Sequence, residues 1–235
     1  METREPGADL HQLEGDLLLV RKPAKWTSFD VVNRVRQVMS VKKAGHAGTL
    51  DPLATGLLII CTRKRTKELQ QYQGLEKEYR VVMTLGARTA SFDAETPLLE
   101  ERSCEGVTGE TVRSVVNEFV GLQVQLPPVY SAVKVKGRRL YKYARKGQEV
   151  ERVPREVFIK GIDVTQVAIP QVWLTVVCSK GTYIRALVND IGERLGCGAF
   201  VSSLERTRIG NFLLDDALSL EELEARMLSH AGVSS

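Results

Sequence analysis

Ala44–Lys67 reads AGHAGTLDPLATGLLIICTRKRTK. Three glycines, one histidine and a single Asp-Pro step lead into an apolar run, Leu57–Cys61, and a basic cluster closes the stretch. The segment after the glycines decides the fold class. A P-loop needs a lysine at a helix N-terminus, and a dinucleotide fold needs a helix directly after its third glycine. Here the run after the glycines is strand-sized and predicts a buried strand. Gly45-x-x-Gly48 is therefore no nucleotide cradle, and its glycines supply positive φ or close approach of another backbone. Asp51, left in the middle, has two readings. It is a turn residue bonding its own backbone ahead of proline, or it is an active carboxylate. Lys42, Lys43, Arg63, Lys64, Arg65 and Lys67 flank it and would draw an anionic substrate. A lone carboxylate serves as nucleophile or acid–base when a cation orients it.

Upstream, Gly15–Arg21 reads as a strand ended by Lys22-Pro23. Thr27-x-x-Asp30 is a capping box, and Phe29, Val32, Val35 and Met39 recur at helical spacing behind it. Downstream, Thr66 is expected to cap a short helix reaching Tyr72. Glu78–Leu85 alternates as a strand with Tyr79, Val81 and Met83 on one face. Residues 86–110 read as irregular. Val112, Val115, Val116 and Phe119 mark a short helix closed by Gly121, and Leu140–Lys146 a second one. Val157–Gln166 and Val172–Ser179 read as antiparallel neighbours. Thr182 opens a long amphipathic helix stopped by Gly196. Arg208–Leu214 is a last strand, and Ser219-x-x-Glu222 caps a helix to about Leu228. Strands and helices do not alternate regularly, so the expected class is α+β with a mixed, mostly antiparallel sheet flanked by helices and loops. The expected organisation is a polar tail over 1–14, one catalytic domain over 15–228 and a tail over 229–235.

The 235 residues are 43% hydrophobic and 26% charged, an ordinary globular composition. No apolar window is long enough to span a bilayer, and the acidic start is the opposite of a signal peptide. Four scattered cysteines and three histidines predict neither a disulfide framework nor a metal site. Cys61 and Cys178 sit in apolar runs and are expected as buried thiols in a reducing cytoplasm. The net charge of +4 hides a polarised map: Lys134–Arg155 holds nine Lys/Arg against two Glu, with Tyr141 and Tyr143 among them. Such a basic stripe with aromatics is the footprint of a nucleic-acid surface.

Two further residues stand out. Arg185, in CSKGTYIRALVNDIGERLG, occupies the first turn of the strong helix, where the dipole does not favour a cation. It is either an exposed arginine or the cation that orients Asp51. Tyr79 is either a half-buried strand tyrosine or a base-stacking platform. His46 is either a satisfied loop histidine or a ring that stacks on RNA bases.

The stretches KPAKWTSFDVVNRVR, KKAGHAGTLDPLATGLLIICT, KEYRVVMTLGARTASFDAE and CSKGTYIRALVNDIGERLGCGAFVSSLERTRIG together resemble the TruB family of tRNA pseudouridine synthases. GHAGTLDP and CSKGTYIR are the most specific of these motifs. The resemblance implies isomerisation of uridine 55 in the tRNA T-loop to pseudouridine, without metal or cofactor. It implies Asp51 as the catalytic aspartate, Tyr79 stacked on uracil as the general base, and Arg185 paired with Asp51. Lys22, Tyr183 and Leu204 would line the pocket, and His46 would fill the space that the flipped base vacates. RNA contacts would come from Lys42, Lys43, Arg63, Lys64 and Lys67. The basic segment over 134–155 would add Lys134, Lys136, Arg138, Arg139, Lys142, Arg145 and Lys146. The chain resembles the family's short members, without a C-terminal PUA-type domain, and is expected to be a cytoplasmic monomer off the membrane. It departs from the pattern at Glu205, where arginine is common, and at Arg63 and Arg65, where small residues are common. Two alternatives stay open: a non-catalytic RNA-binding or folding module, and a nucleoside hydrolase built on Asp51.

Overall fold

The computed structural model describes residues 15–232 except 132, 136, 141, 142, 144, 145 and 149. In chain order the elements begin with β1 (Leu17–Lys22), α1 (Ser28–Val38), β2 (Ala44–His46) and β3 (Thr55–Thr62). A 3-10 turn over Arg63–Glu68 leads into α2 (Leu69–Gly74), β4 (Lys77–Leu85), β5 (Ala87–Thr89) and β6 (Leu98–Glu101). Next come α3 (Gly109–Asn117), β7 (Gly121–Gln125), β8 (Lys134–Val135) and β9 (Arg138–Arg139). β10 (Arg155–Ala168), β11 (Gln171–Cys178), α4 (Ile184–Arg194), β12 (Ala199–Ile209), β13 (Phe212–Leu213) and α5 (Leu220–Gly232) complete the order.

The described residues form two compact units, one of residues 15–75 and 205–232, the other within residues 76–204. The covalent boundary at 204/205 falls inside β12. In the first unit β3 pairs antiparallel with β1, Leu17 opposite Cys61 and Lys22 opposite Gly56. β2 joins β3 antiparallel, and the last part of β12 runs parallel to it, Arg206 opposite Gly56. β3 is buried on both faces, which explains its unbroken apolar run. Leu58 and Ile60 pack with Val31, Val32 and Val35 of α1 and with Leu220 and Leu223 of α5. Leu57, Ile59 and Cys61 pack on the other side with Tyr72, Ile209 and Leu214.

In the second unit β11 lies between β4 and β10, and β7 borders β10, all antiparallel. β4 alternates strictly, burying Lys77, Tyr79, Val81, Met83 and Leu85. α4 buries Ile184, Leu187, Val188 and Ile191 on the expected stripe. The mixed α+β class and the mostly antiparallel sheet are as expected.

The capping box at Thr27 forms as predicted: Thr27 N–H donates to Asp30 Oδ2 at 2.8 Å, and Asp30 N–H donates to Thr27 Oγ1 at 3.1 Å. The box at Ser219 forms equally, Glu222 N–H donating to Ser219 Oγ at 3.1 Å. Thr66 does not cap a helix. Its hydroxyl donates to Arg63 O at 2.8 Å inside the 3-10 turn, and the α-helix starts only at Leu69. Residues 86–110 are not irregular throughout, because β5 and β6 form a hairpin there. Gly121 does not close α3. The helix ends at Asn117 with Glu118 as its C-cap, and Gly121, at φ +106°, opens β7. The predicted last strand is the end of β12, which starts at Ala199, followed by β13. The helix expected over Leu140–Lys146 falls largely on residues outside those described.

Candidate active site

Asp51 lies, half-buried, in the excursion between β2 and β3. The backbone contacts of that excursion described below come from the first unit. Ala47 N–H donates to Ile59 O at 2.9 Å, extending the β2–β3 pairing by one bond. Gly48 then turns the chain at φ +98°, a conformation that L side chains rarely adopt. Gly45, by contrast, has an ordinary φ, and a Cβ there would meet the Leu69 side chain at 2.7 Å. Gly56 is where another backbone comes closest: a Cβ would stand 2.3 Å from the Arg206 carbonyl oxygen. Ser28, at the start of α1, bridges Leu50, accepting from its N–H at 2.9 Å and donating to its carbonyl at 3.3 Å. Ala54 N–H donates to Asp51 O at 3.1 Å, which closes the Asp-Pro turn.

Lys22 has no exposed surface. Its ammonium donates to Trp26 O at 2.6 Å, Pro23 O at 2.9 Å and Pro52 O at 3.1 Å, so all three protons meet carbonyl oxygens. Burial lowers its pKa to about 8, opposed by attraction to Asp51 and aided by repulsion from Arg206. Arg206 is 1% exposed. Its Nε donates to Leu57 O at 2.8 Å and its Nη2 to Gly48 O at 3.1 Å. The sequence offers no local signal for Arg206, which sits in a polar run, SSLERTR, without the apolar pattern of a strand. His46 ends β2 opposite Ile60 on β3.

The remaining sequence-predicted residues belong to the second unit. Tyr79 is nearly buried on β4, opposite Val176. Leu204 is buried on β12. Arg185 is not an exposed arginine: it is 3% exposed in the first turn of α4. Its Nη1 donates to Ser91 O at 2.7 Å, its Nη2 to Tyr130 O at 2.8 Å, and its Nε stands 3.6 Å from Asp93 Oδ2. Asp93 is itself fixed, accepting from Ser91 Oγ at 2.5 Å and from Glu95 N–H at 3.0 Å. The guanidinium is thus held rigidly by two loops and a carboxylate. Tyr183 is the N-cap residue of α4, and the buried Gln125 side chain clamps its backbone. Tyr183 N–H donates to Gln125 Oε1 at 2.9 Å, and Gln125 Nε2 donates to Tyr183 O at 3.3 Å. Nothing in the local sequence singles out Asp93 or Gln125, since each acts through a contact more than 50 residues away.

Basic residues gather in the first unit. Lys42, Lys43, Arg63, Lys64 and Lys67, with Ser40 and Val41, line an open cavity of about 460 Å³. Arg63 N–H donates to Lys43 O at 2.8 Å, which joins the two basic segments. Arg65 turns away, paired with Glu68 at 3.0 Å. In the other unit Lys134–Val135 and Arg138–Arg139 form a two-stranded hairpin, and Lys146 is exposed. Lys136, Lys142 and Arg145 lie outside the described residues. Among the described residues no cluster of His, Cys, Asp and Glu could hold a metal ion, and no helix is long and apolar enough to cross a membrane. Cys61 and Cys178 are buried free thiols, both pushed up to about 11 by burial.

Comparison with known proteins places this geometry. Residues 36–184 match the TruB family pseudouridylate synthase (N terminal domain), and residues 185–232 match the tRNA pseudouridylate synthase B C-terminal domain. The tRNA pseudouridine synthase B of Phocaeicola vulgatus is 48% identical over 88% of this chain and 91% of its own length. That of Parabacteroides distasonis is 47% identical over 90% and 93%. Among solved structures, a chain of a Cbf5-Nop10-Gar1 complex matches with a TM-score of 0.74 at 30% identity over 95% of this chain. This chain spans 58% of the length of that one. The family model over residues 36–184 and relatives near 48% identity along most of the chain leave one conclusion: the chain belongs to the TruB family of pseudouridylate synthases.

Proposed function

We propose that the chain isomerises uridine 55 in the T-loop of tRNA to pseudouridine, acting in the cytoplasm as a monomer. The observation that carries this reading is the family match over 36–184 together with relatives near 48% identity that bear the name tRNA pseudouridine synthase B. The uridine must leave its stack before chemistry, at a cost of a few kcal/mol. Phosphate contacts offset that cost, and the four lysines and one arginine of the basic cavity are suited to supply them, with the basic segment over 134–155 adding positive charge in sequence. Asp51 is the residue assigned to act on the flipped nucleoside, and the family resemblance gives Arg185 the supporting cationic role and Lys22, His46, Tyr183 and Leu204 roles in binding the substrate. The N1–C1′ bond breaks, uracil turns, C5 bonds to C1′, Tyr79 takes the C5 proton as base, and N1 gains a proton in exchange. Nothing is gained or lost overall, so a pocket that holds the freed uracil and excludes water suffices.

Asp51→Asn should abolish pseudouridine formation on an unmodified tRNA transcript, mapped by primer extension, while RNA binding persists. Retained turnover would remove Asp51 from the chemistry. Release of free uracil, seen by chromatography, would instead point to a hydrolase. The basic cavity also suits an RNA-binding module, which predicts that Asp51→Asn leaves the cellular phenotype intact.

A further inference from the structure

We infer that Arg206 is a positioning residue that fixes the backbone on which Asp51 sits, with Ser28 and Lys22 as its companions. The inference rests on Asp51 being the residue that acts on the uridine. The chain from Gly48 to Ala54 leaves the sheet, so its backbone groups lose their ladder partners and must find others. Side chains take that role. Arg206 donates to Gly48 O and Leu57 O, Ser28 accepts from Leu50 N–H and donates to Leu50 O, and Lys22 donates to Pro52 O, which also accepts from Lys25 N–H at 2.7 Å. Asp51 thus lies between two residues whose backbones are pinned, inside a span whose two ends are joined by one guanidinium. Its carboxylate direction follows from where that backbone is held.

The strand geometry explains why an arginine can do this. The Arg206 backbone runs beside Gly56, where any Cβ would collide with it. With no side chain at Gly56, the Arg206 side chain reaches forward past it to Leu57 and back to Gly48. A planar fork of donors spans two carbonyls at once, whereas an ammonium is a point donor. A buried cation bonded to neutral carbonyls is a costly fastener. Uncharged groups would serve a merely structural turn at lower cost. Lys22 feels both Asp51 and Arg206, so the three charges share one electrostatic neighbourhood.

The test uses the full chain and unmodified tRNA, comparing wild type, Arg206→Lys and Ser28→Ala. Thermal unfolding and RNA affinity are measured first, and kcat and KM are then taken well below each melting midpoint. Arg206→Lys should keep RNA affinity and KM but lose kcat about 100-fold, the order expected for a displacement near 1 Å. Ser28→Ala should lose kcat in the same manner, less steeply. If wild type makes no pseudouridine, the functional reading fails. If wild type turns over and Arg206→Lys keeps kcat, or its loss lies in KM, the positioning role is overturned. Should Arg206→Lys not fold, Ser28→Ala decides, and an unchanged kcat there overturns the clamp.

Discussion

Lys22 is a buried cation whose three protons all go to backbone carbonyls, and this makes its titration informative. Its pKa is lowered from 10.5 to about 8, chiefly by burial. Between those values the unfolded chain binds a proton that the folded chain has released, so stability gains with pH across that window. The penalty for burying the ammonium is full below about pH 8 and is relieved as pH climbs toward 10.5. Lys22→Met lacks this titration. The stability of wild type minus that of Lys22→Met should therefore rise from pH 8 to 10.5, measured by urea unfolding at several pH values. A flat difference would show that Lys22 keeps an ordinary pKa in the fold. Arg185 shows the opposite arrangement, a buried cation with a carboxylate, Asp93, beside it at 3.6 Å. From the sequence Arg185 stands out by its odd helix position and by closing the CSKGTYIR motif. Its burial and its hold by Ser91, Asp93 and Tyr130 depend on loops that local patterning does not describe.

At the scale of elements, the legible parts are those whose stability is local. The capping boxes at Thr27 and Ser219, the alternation of β4 and the stripe of α4 each follow from a spacing within one element. Thr27→Ala should destabilise the protein by about 1 kcal/mol, the usual worth of an N-cap, read from the urea midpoint. The loss should reach global stability because α1 buries Val31, Val32 and Val35 against β3. No change would mean that tertiary packing alone holds the helix end. Most of β12 escapes a sequence reading because its buried positions are not all apolar: Arg206 and Thr207 stand where a strand pattern calls for Val or Ile. The β5–β6 hairpin escapes it because β6 is exposed along its whole length and carries no apolar alternation.

For the molecule as a whole, net charge matters less than where it gathers. The five cations around the 460 Å³ cavity come from two segments that β2 and β3 bring together, and Arg63 N–H bonded to Lys43 O fastens them. Replacing Lys42, Lys43, Lys64 and Lys67 by glutamine should weaken tRNA binding and flatten its salt dependence. The slope of log K against log salt should fall in magnitude by about 3 if each lysine meets a phosphate, measured by filter binding over a salt series. An unchanged slope would place the RNA elsewhere on the surface.

By itself the sequence determined the α+β class, the buried β3 and the capping boxes at Thr27 and Ser219. Period, turn chemistry and motif are properties of neighbouring residues, and GHAGTLDP carries its meaning in eight consecutive positions. Only the tertiary structure decided what holds that turn. Arg206 meets Gly48 158 positions away, and Asp93 meets Arg185 across the β5–α4 span. Buried polar groups must find partners wherever the fold supplies them, and no spacing along the chain records which ones those will be.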